Sequence, residues 1–532
     1  MTYFFLPRNK MEKSNGFYAR EYESCVVKWL KCLIIWQLMV LFILDVFVTF
    51  TPGCSYNNPR VYGAPGASPQ PETPWNPPKQ VIEKQEGFQA ITAEAEKKAP
   101  LIPSELLNNI YNLDLADIIN IALLNSKQTR RAWEQARSAA ASYRRELGSY
   151  LPNISGDASS SRQKNPAIGE RFSSGTNTYS ASASLNWLIF NFGGRRASVE
   201  KMREALFAAD WNHNATIQNV ILQVEQAYYD YSATKALLAA QQATVDESQT
   251  NLNAAEDRHT AGVATLSDVL QARTALSQSF LSLETLKGQI MTTRGILATA
   301  MGLPANTTFD VDFPVGALPF EQTKKSIEEY LETALKERPD LAAARAQVLE
   351  ANAQVRAVRA QGYPSIEANG SIGQQYLNNL SNSNNNYIAT IGISVPLFTG
   401  FSHQWDIFAA QAQANAAYAQ AQNIKDLVTL QVWTSYYNLE TAEHLVHTSD
   451  DLLASASQNQ DVAVARYKDG VGSIIDLLTA QTALESARAQ QIRARAEWWI
   501  AIAQLAHDTG TLEVSSTTGN GNEKKTYRKE GK

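Results

Sequence analysis

The chain has 532 residues, 44% of them hydrophobic, and a formal net charge of −5 at pH 7. That length supports a large core, and the mild acidity argues against nucleic-acid binding, which calls for a strong basic face. The three cysteines are Cys25, Cys32 and Cys54, so from residue 55 onward there is no disulfide, Cys-ligated zinc or thiol nucleophile. No phosphate-cradling Gly loop or nucleophile elbow occurs. His444 and His447 lie one helical turn apart in EHLVH, which is not a zincin motif and reads as a packed or solvated helix face. No enzymatic chemistry, metal or cofactor is expected.

At the N-terminus, Lys28 and Lys31 precede the apolar run CLIIWQLMVLFIL, which breaks at Asp45, resumes as VFVTF and ends TPGC at Cys54. A positive flank, an apolar stretch and small residues before a cut describe an export signal over 1–53. Cys54 after Gly53 points to a lipoprotein, cut before Cys54 and acylated on its sulfur, although Asp45, Thr51 and Pro52 depart from the usual pattern. A retained anchor over 32–50 is the alternative. Residues 54–113, rich in Pro, Gly, Asn and Ser at first, read as an extended tether.

A helical pattern then runs from about Leu115 to Leu147, with a counterpart from about Ile327 to Gln361. The period then changes to two. In YSASASLNWLIF (179–190), Tyr179, Ala181, Ala183, Leu185, Trp187 and Ile189 alternate with polar residues, and YIATIGISVPLF (387–398) repeats the alternation from Tyr387. With ISGDASSS and SIEANGSI before them, these segments predict strand pairs over about 151–190 and 363–398. The stretches between, RQKNPAIGERFSSGTNT and QQYLNNLSNSNNN, read as loops. Eight residues at about 3.3 Å span about 26 Å along the strand, or about 20 Å of height at a tilt near 40°, close to the apolar band of an outer-membrane barrel with aromatic girdles, here Tyr179, Trp187 and Tyr387. The alternation alone fits a soluble half-buried sheet equally well; the export signal and the flanking helices favour the barrel.

Residues 195–261 and 401–469 contain neither Gly nor Pro, and a helix of that length would span about 100 Å. Ile217, Ile221, Val224, Tyr228 and Tyr231 recur at three and four, the spacing of helices packed side by side. The long segments end at two matching stretches, RHTAGVATLSDVLQARTAL (258–276) and RYKDGVGSIIDLLTAQTAL (466–484), set 208 residues apart. Each is expected to be the tip of a helical hairpin, with Gly262 and Gly470 taking positive φ. The chain returns through 265–301 and 473–509 to Gly302 and Gly510. The whole therefore divides into repeats over 114–302 and 326–510, a connector over 303–325 and a polar tail over 511–532. Four strands cannot close a transmembrane barrel, which needs at least eight, so a barrel would be shared between chains. Two copies would supply eight strands and three would supply twelve.

The duplicated order, the strings LNWLIFNFGGRRAS (185–198) and ISVPLFTG (393–400), and the doubled tips resemble the TolC-type outer-membrane efflux proteins over about residues 115–510. Cys54 and the Pro-rich tether resemble their lipoprotein branch. The resemblance implies a mainly α fold with a small β part: a homotrimer, with a twelve-stranded barrel in outer-membrane lipid above a coiled-coil-like α-helical barrel in the periplasm. It further implies docking onto a periplasmic adaptor (membrane fusion) protein and an inner-membrane pump of the resistance-nodulation-division type. The function implied is a passive duct for small molecules such as drugs or metal ions. Type I protein secretion, or a non-porous coiled-coil envelope lipoprotein, are the alternatives.

Within that reading Arg258, Gly262, Val263, Arg466, Gly470 and Val471 are the expected adaptor-contact positions, although the glycines also suit the turn itself. Asp476 falls where the family places a ring of aspartates at the tunnel entrance, and Asp268 is its equivalent in the first tip. Both aspartates also suit a simple helix-start role. Gly472 stands where some members carry a gating Arg, and Thr479 where some carry a second Asp, so a latch of those side chains is not expected.

Overall fold

The computed structural model describes residues 73, 113–165, 174–311, 320, 325–377 and 384–512. The signal segment, Cys54, nearly all of the 54–113 tether and the tail beyond Leu512 lie outside the described residues.

The helical stretch expected from Leu115 to Leu147 is two helices, α1 (Leu115–Asn125) and α2 (Lys127–Leu147). Ser126 between them is extended, and its hydroxyl accepts the Thr129 N–H at 3.2 Å, so one residue ends a helix and caps the next. After β1 (Asn153–Asn165) and β2 (Ser174–Phe190) comes α3 (Gly194–Thr260), 67 residues long, then α4 (Leu266–Ala300), 35 residues long. The second stretch, expected from Ile327 to Gln361, breaks the same way into α5 (Ile327–Glu337) and α6 (Pro339–Ala360). There the break is set by Pro339, which suits the first helical position and forces Arg338 into extended backbone. β3 (Ser365–Leu377), β4 (Asn384–Ser394), α7 (Ser402–Lys468, 67 residues) and α8 (Ile474–Asp508, 35 residues) complete the order.

The strands form one antiparallel sheet in the order β1-β2-β3-β4. They reach further into the expected loops than the sequence suggested. β1 and β2 stay in register out to Asn165↔Ser174, and β3 and β4 out to Gln375↔Asn384, because paired polar backbone satisfies its hydrogen bonds as readily as apolar backbone. At the other end β4 stops at Ser394, and Val395–Phe398 lie outside it. The pairing of β2 with β3, from Thr178↔Leu377 to Phe190↔Ile366, joins the two hairpins into a single surface.

Both strand-to-helix junctions place two successive residues in the left-handed region: Phe192 (φ 50°) and Gly193 (φ 88°), then Gly400 and Phe401 (each φ 63°). The glycine and the phenylalanine exchange places between them. A left-handed Phe costs about 1–2 kcal/mol, which edge-on ring contacts offset: Phe190 with Phe192 at 4.9 Å, and Phe398 with Phe401 at 5.5 Å.

The main apolar cluster lies where α1, the middle of α3 and the end of α4 meet the connector. Ile118, Ile121, Ile217, Ile221, Val224, Leu297 and Met301 are buried there with Phe309 and Val311. A second cluster, around Val245, Leu252, Ala272 and Leu276, binds the α3–α4 hairpin near its tip and reaches Tyr467, Ile474 and Leu477 of the other hairpin. Alanines recur at the helix contacts, for example Ala255, Ala353, Ala410, Ala480 and Ala487, so long backbones run close together.

Candidate functional site

The two tips are built alike from the backbone up. At the first, Val263 N–H bonds the Arg258 carbonyl and Gly262 N–H bonds that of His259, each at 2.9 Å, a Schellman end that requires a left-handed residue. Gly262 supplies it at φ 75°, and Gly470 does so at φ 80° in the second tip, as expected. Both return helices start with a reciprocal capping box. Asp268 N–H donates to the Thr265 hydroxyl while Thr265 N–H donates to Asp268 Oδ2; Ser473 and Asp476 repeat the exchange. The helix-start role weighed for both aspartates is therefore present. Asp268 is half-buried and Asp476 exposed.

The tips differ in how they meet each other. Arg258 reaches across from α3 to the end of α7, where Nη1 donates to the Tyr467 carbonyl and the guanidinium lies 4.7 Å from the Tyr467 ring centre. The Tyr467 ring is buried, and burial pushes its hydroxyl up, against the opposing effect of Arg258. Arg466, the sequence counterpart of Arg258, is exposed. Val263 and Val471 are 65% and 70% exposed, at the apex of each tip.

Behind the tips a buried polar group fastens α3 to α8. Gln481 donates to the Ser248 hydroxyl at 2.5 Å and accepts from the Asn251 amide at 2.8 Å. The more exposed Glu247–Arg488 pair follows at 3.1 Å. Neither this group nor Tyr467 was singled out from the sequence. The available signal was Gln481 within an otherwise apolar helical stripe.

At the other end, the sheet has one apolar and one hydroxyl-rich face. Cross-strand register puts Ile154, Leu185, Gly370 and Ala389 in one row, with Ala183, Ile372 and Tyr387 in the next. Tyr179 pairs with Tyr376 at one margin, their rings 6.4 Å apart. Trp187 lies towards the other margin and donates its indole N–H to the Tyr150 carbonyl at 3.1 Å. On the opposite face the hydroxyls of Ser155 and Ser184 lie 2.8 Å apart, and those of Ser159 and Ser180 2.7 Å apart. The apolar face is uncovered: Tyr387 is 84% exposed and Ile391 75%. Arg195 fastens this sheet to α3, an anchor that sequence reasoning missed. It donates to the Leu188, Ile189 and Ser149 carbonyls and stacks 4.3 Å from Tyr150. No helix among the described residues is long and apolar enough to cross a membrane.

A profile of the outer membrane efflux protein family matches residues 118–303 and again residues 330–511. The chain belongs to that family. Among curated members it is 26% identical to Protein CyaE of Bordetella pertussis, over 73% of this chain and 83% of that one. It is 24% identical to the pyoverdine export outer membrane protein OpmQ of Pseudomonas aeruginosa, over 72% and 82%. Its fold is similar to the outer membrane protein VceC of Vibrio cholerae, with a TM-score of 0.65 at 20% identity, covering 74% of this chain and 96% of that chain. It is also similar to the Campylobacter jejuni CmeC outer membrane channel, with a TM-score of 0.67 at 18% identity, over 78% and 89%. The family is one of efflux channels, and its profile spans both tips and the sheet.

Proposed function

We propose that this chain is the outer-membrane channel of a tripartite efflux system, a passive trimeric duct without enzymatic activity. The observation that carries the proposal is the four-stranded sheet whose mainly apolar face is uncovered, with Ile154, Ile372, Tyr387 and Ile391 exposed on it, and which among the described residues is unpaired on the outer edges of β1 and β4. Apolar strands with open edges are stable in lipid only when closed into a barrel. Three copies give twelve strands, with Tyr179 and Trp187 towards the two lipid margins; Tyr387, expected at a margin, is in register with Ile372 and Ala183 midway between those two rows and so belongs to the apolar band itself. Equal helix lengths on either side of the connector support an internally duplicated chain. In the trimer the four long helices of each copy make a helical barrel continuous with the sheet.

The tips, with Val263 and Val471 at their apices and Gly262 and Gly470 shaping them, suit a periplasmic adaptor. Arg466 is free to join that contact, while Arg258 is taken up within the chain. Energy comes from an inner-membrane pump, of resistance-nodulation-division type, acting on small molecules. Asp476, exposed at the start of α8, lines the narrow entrance in this reading, with Asp268 behind it. Cys54 is the acylated N-terminus that adds a lipid anchor.

The test uses full-length protein extracted from outer membranes. Light scattering in detergent should give three chains per particle, and planar bilayers should show discrete conductance steps. A monomer without conductance would exclude the duct. Mass spectrometry should find an acylated Cys54 and no residues before it. Asp476→Asn should lower cation selectivity and weaken block by multivalent cations from the tip side.

A further inference from the structure

The four strands hold four charged residues, Asp157, Arg162 and Lys164 in β1 and Glu367 in β3. The register sorts them by face. Asp157 stands between Ser155 and Ser159, whose hydroxyls meet those of Ser184 and Ser180, so it belongs to the hydroxyl-rich face. Glu367, two places from Asn369, shares that face, because Asn369 is in register with Asn186 and, through it, with Asn153. Arg162 and Lys164 fall on the other, apolar face, two and four residues beyond Ser160. Ser160 is in register with Tyr179 and Tyr376, the aromatic row at the margin away from the helices. Both cations are exposed, and their cross-strand partners, Asn177 and Gly175, carry no charge.

We propose that Arg162 and Lys164 of each copy bind the phosphate groups of a phosphorylated glycolipid, lipid A, in the outer leaflet of the membrane. The inference rests on the barrel of the preceding section, in which the helices lie in the periplasm and the turn ends of the strands face outwards. At about 3.3 Å per residue and a tilt near 40°, Arg162 stands about 5 Å above the Tyr179 row and Lys164 about 10 Å above it. That is headgroup depth. A lipid-facing cation is costly at the bilayer midplane and nearly free of cost close to the interface, so this is where the apolar face tolerates one.

The chemistry of the pair suits a phosphate. A guanidinium offers two parallel N–H donors to one phosphate, and an ammonium adds a point charge without fixed direction. Standing two apart on one face, the two residues are about 7 Å from each other along the strand, within reach of one headgroup. Their long stems lie along apolar surface while the charged ends extend towards the phosphates. No carboxylate competes on this side, since Asp157 and Glu367 face the lumen. β4, which closes onto β1 of the next copy, brings no charge of its own. The other margin is arranged differently. There the cation beside Trp187 and Tyr150 is Arg195, and it is occupied by the Leu188, Ile189 and Ser149 carbonyls. Arginine at the inner margin fastens the sheet to a helix; at the outer margin it is left for the lipid.

Native mass spectrometry of the full-length protein in non-ionic detergent tests this, because it counts chains and bound lipids together. Titrated with bisphosphorylated lipid A, the unaltered protein should appear as three chains carrying lipid. Arg162→Gln combined with Lys164→Gln should lower the bound fraction several-fold, whereas Arg162→Lys combined with Lys164→Arg, which keeps both charges, should retain it. Asp157→Asn, on the lumen face, should bind as the unaltered protein does. Lipid A stripped of its phosphates should bind the unaltered protein several-fold more weakly, an arm that needs no substitution and so no refolded variant. Excess inorganic phosphate should not displace the lipid. A trimeric double-Gln variant that binds lipid A as before overturns the contact alone, and so does equal binding of the dephosphorylated lipid. Displacement by inorganic phosphate would assign the two residues to a free anion and overturn the lipid as their ligand. A monomeric unaltered protein overturns the inference together with the duct.

Discussion

The two helix breaks, at Ser126 and at Arg338, share one backbone plan and differ in what fills it. At each, a long return helix ends in a left-handed glycine, Gly302 at φ 73° and Gly510 at φ 76°, pressed against the break. A Cβ on Gly302 would come within 2.8 Å of the Asn125 carbonyl oxygen, and one on Gly510 within 2.9 Å of the Glu337 carbonyl oxygen. Around Gly302 the corner is apolar, with Met301, Leu303, Ile121 and Leu113 buried. Around Gly510 it is ionic. Buried Arg338 bonds Asp340 at 2.6 Å, the Gln431 side chain at 2.8 Å and the Asp508 carbonyl at 3.1 Å, with the Asp508 carboxylate 3.5 Å away. His507 and Gln504 complete the partners of Asp508. Burial by itself would raise the Asp340 carboxyl, but Arg338 holds it below its usual value. The same turn can thus be closed by hydrophobic filling or by a satisfied ion cluster, provided the glycine admits the approach.

The largest expected effect comes from breaking the ionic corner. Arg338→Ala leaves Asp508 and Asp340 without their cation and should lower unfolding stability by about 3–5 kcal/mol. Denaturant titration of the detergent-solubilised protein reads this directly, and a loss below about 1 kcal/mol would mean that the cluster is solvated. The same corner should weaken in acid. The lowered Asp340 carboxyl gives stability that is present above the unfolded-state value near 3.9 and lost as pH falls through the folded value.

A second break concerns α3 and α7, whose positions 210 and 418 stand 208 residues apart, the spacing of the two tip motifs. Tyr418 is exposed, whereas Asp210 is fully buried with neither oxygen bonded, and burial pushes its carboxyl up to about 9. Its raised folded value favours the neutral form, so this contribution is complete below about pH 4 and is lost as pH rises towards the folded value. Stability should fall by about 3 kcal/mol between about pH 5 and about pH 7 on this account. Asp210→Asn should flatten that slope in thermal melts followed by circular dichroism, and an unchanged slope would place the titration elsewhere.

Gly302→Ala and Gly510→Ala sharpen the comparison of corners, since each combines an unfavourable φ with a close approach to backbone. Each should cost about 2 kcal/mol, and similar values at both would show that backbone rather than side-chain chemistry governs the glycine. The smallest effect is expected for Ser126→Ala, a lost cap worth about 1 kcal/mol. A larger loss there would mean that the apolar corner depends on its serine as the ionic corner depends on Arg338.

Much of this architecture was legible in the residues. The long Gly- and Pro-free runs between turn glycines marked α3 and α7 to within a residue or two, because a helix needs only local bonds and ends where a left-handed residue is supplied. Tyr179, Trp187 and Tyr387 fell on the apolar side of the alternation, and the register aligns that side across all four strands. The helix breaks were less legible. Ser126 is an ordinary helix-surface residue by composition, and at the corner it is extended and caps α2, with Gly302 packed close against Asn125. Pro339 was visible and should have split the second stretch. The polar strand ends were read as loops because alternation reports side-chain burial, whereas Arg162 and Gln374 are held by backbone pairing.

The sequence by itself determined the order and length of the elements, the two turn glycines and the alternating face of the strands, since all of these rest on interactions within a few residues along the chain. Only the tertiary structure decided which repeated residues become different. Arg258 and Arg466 share a motif, yet one lies on Tyr467 and the other is exposed. Asp268 and Asp476 share a cap, yet one is half-buried and the other exposed. The reason is packing: α8 runs along α3 from Asn219 to Asn251, while the matching face of α7 is not covered in this way within the chain.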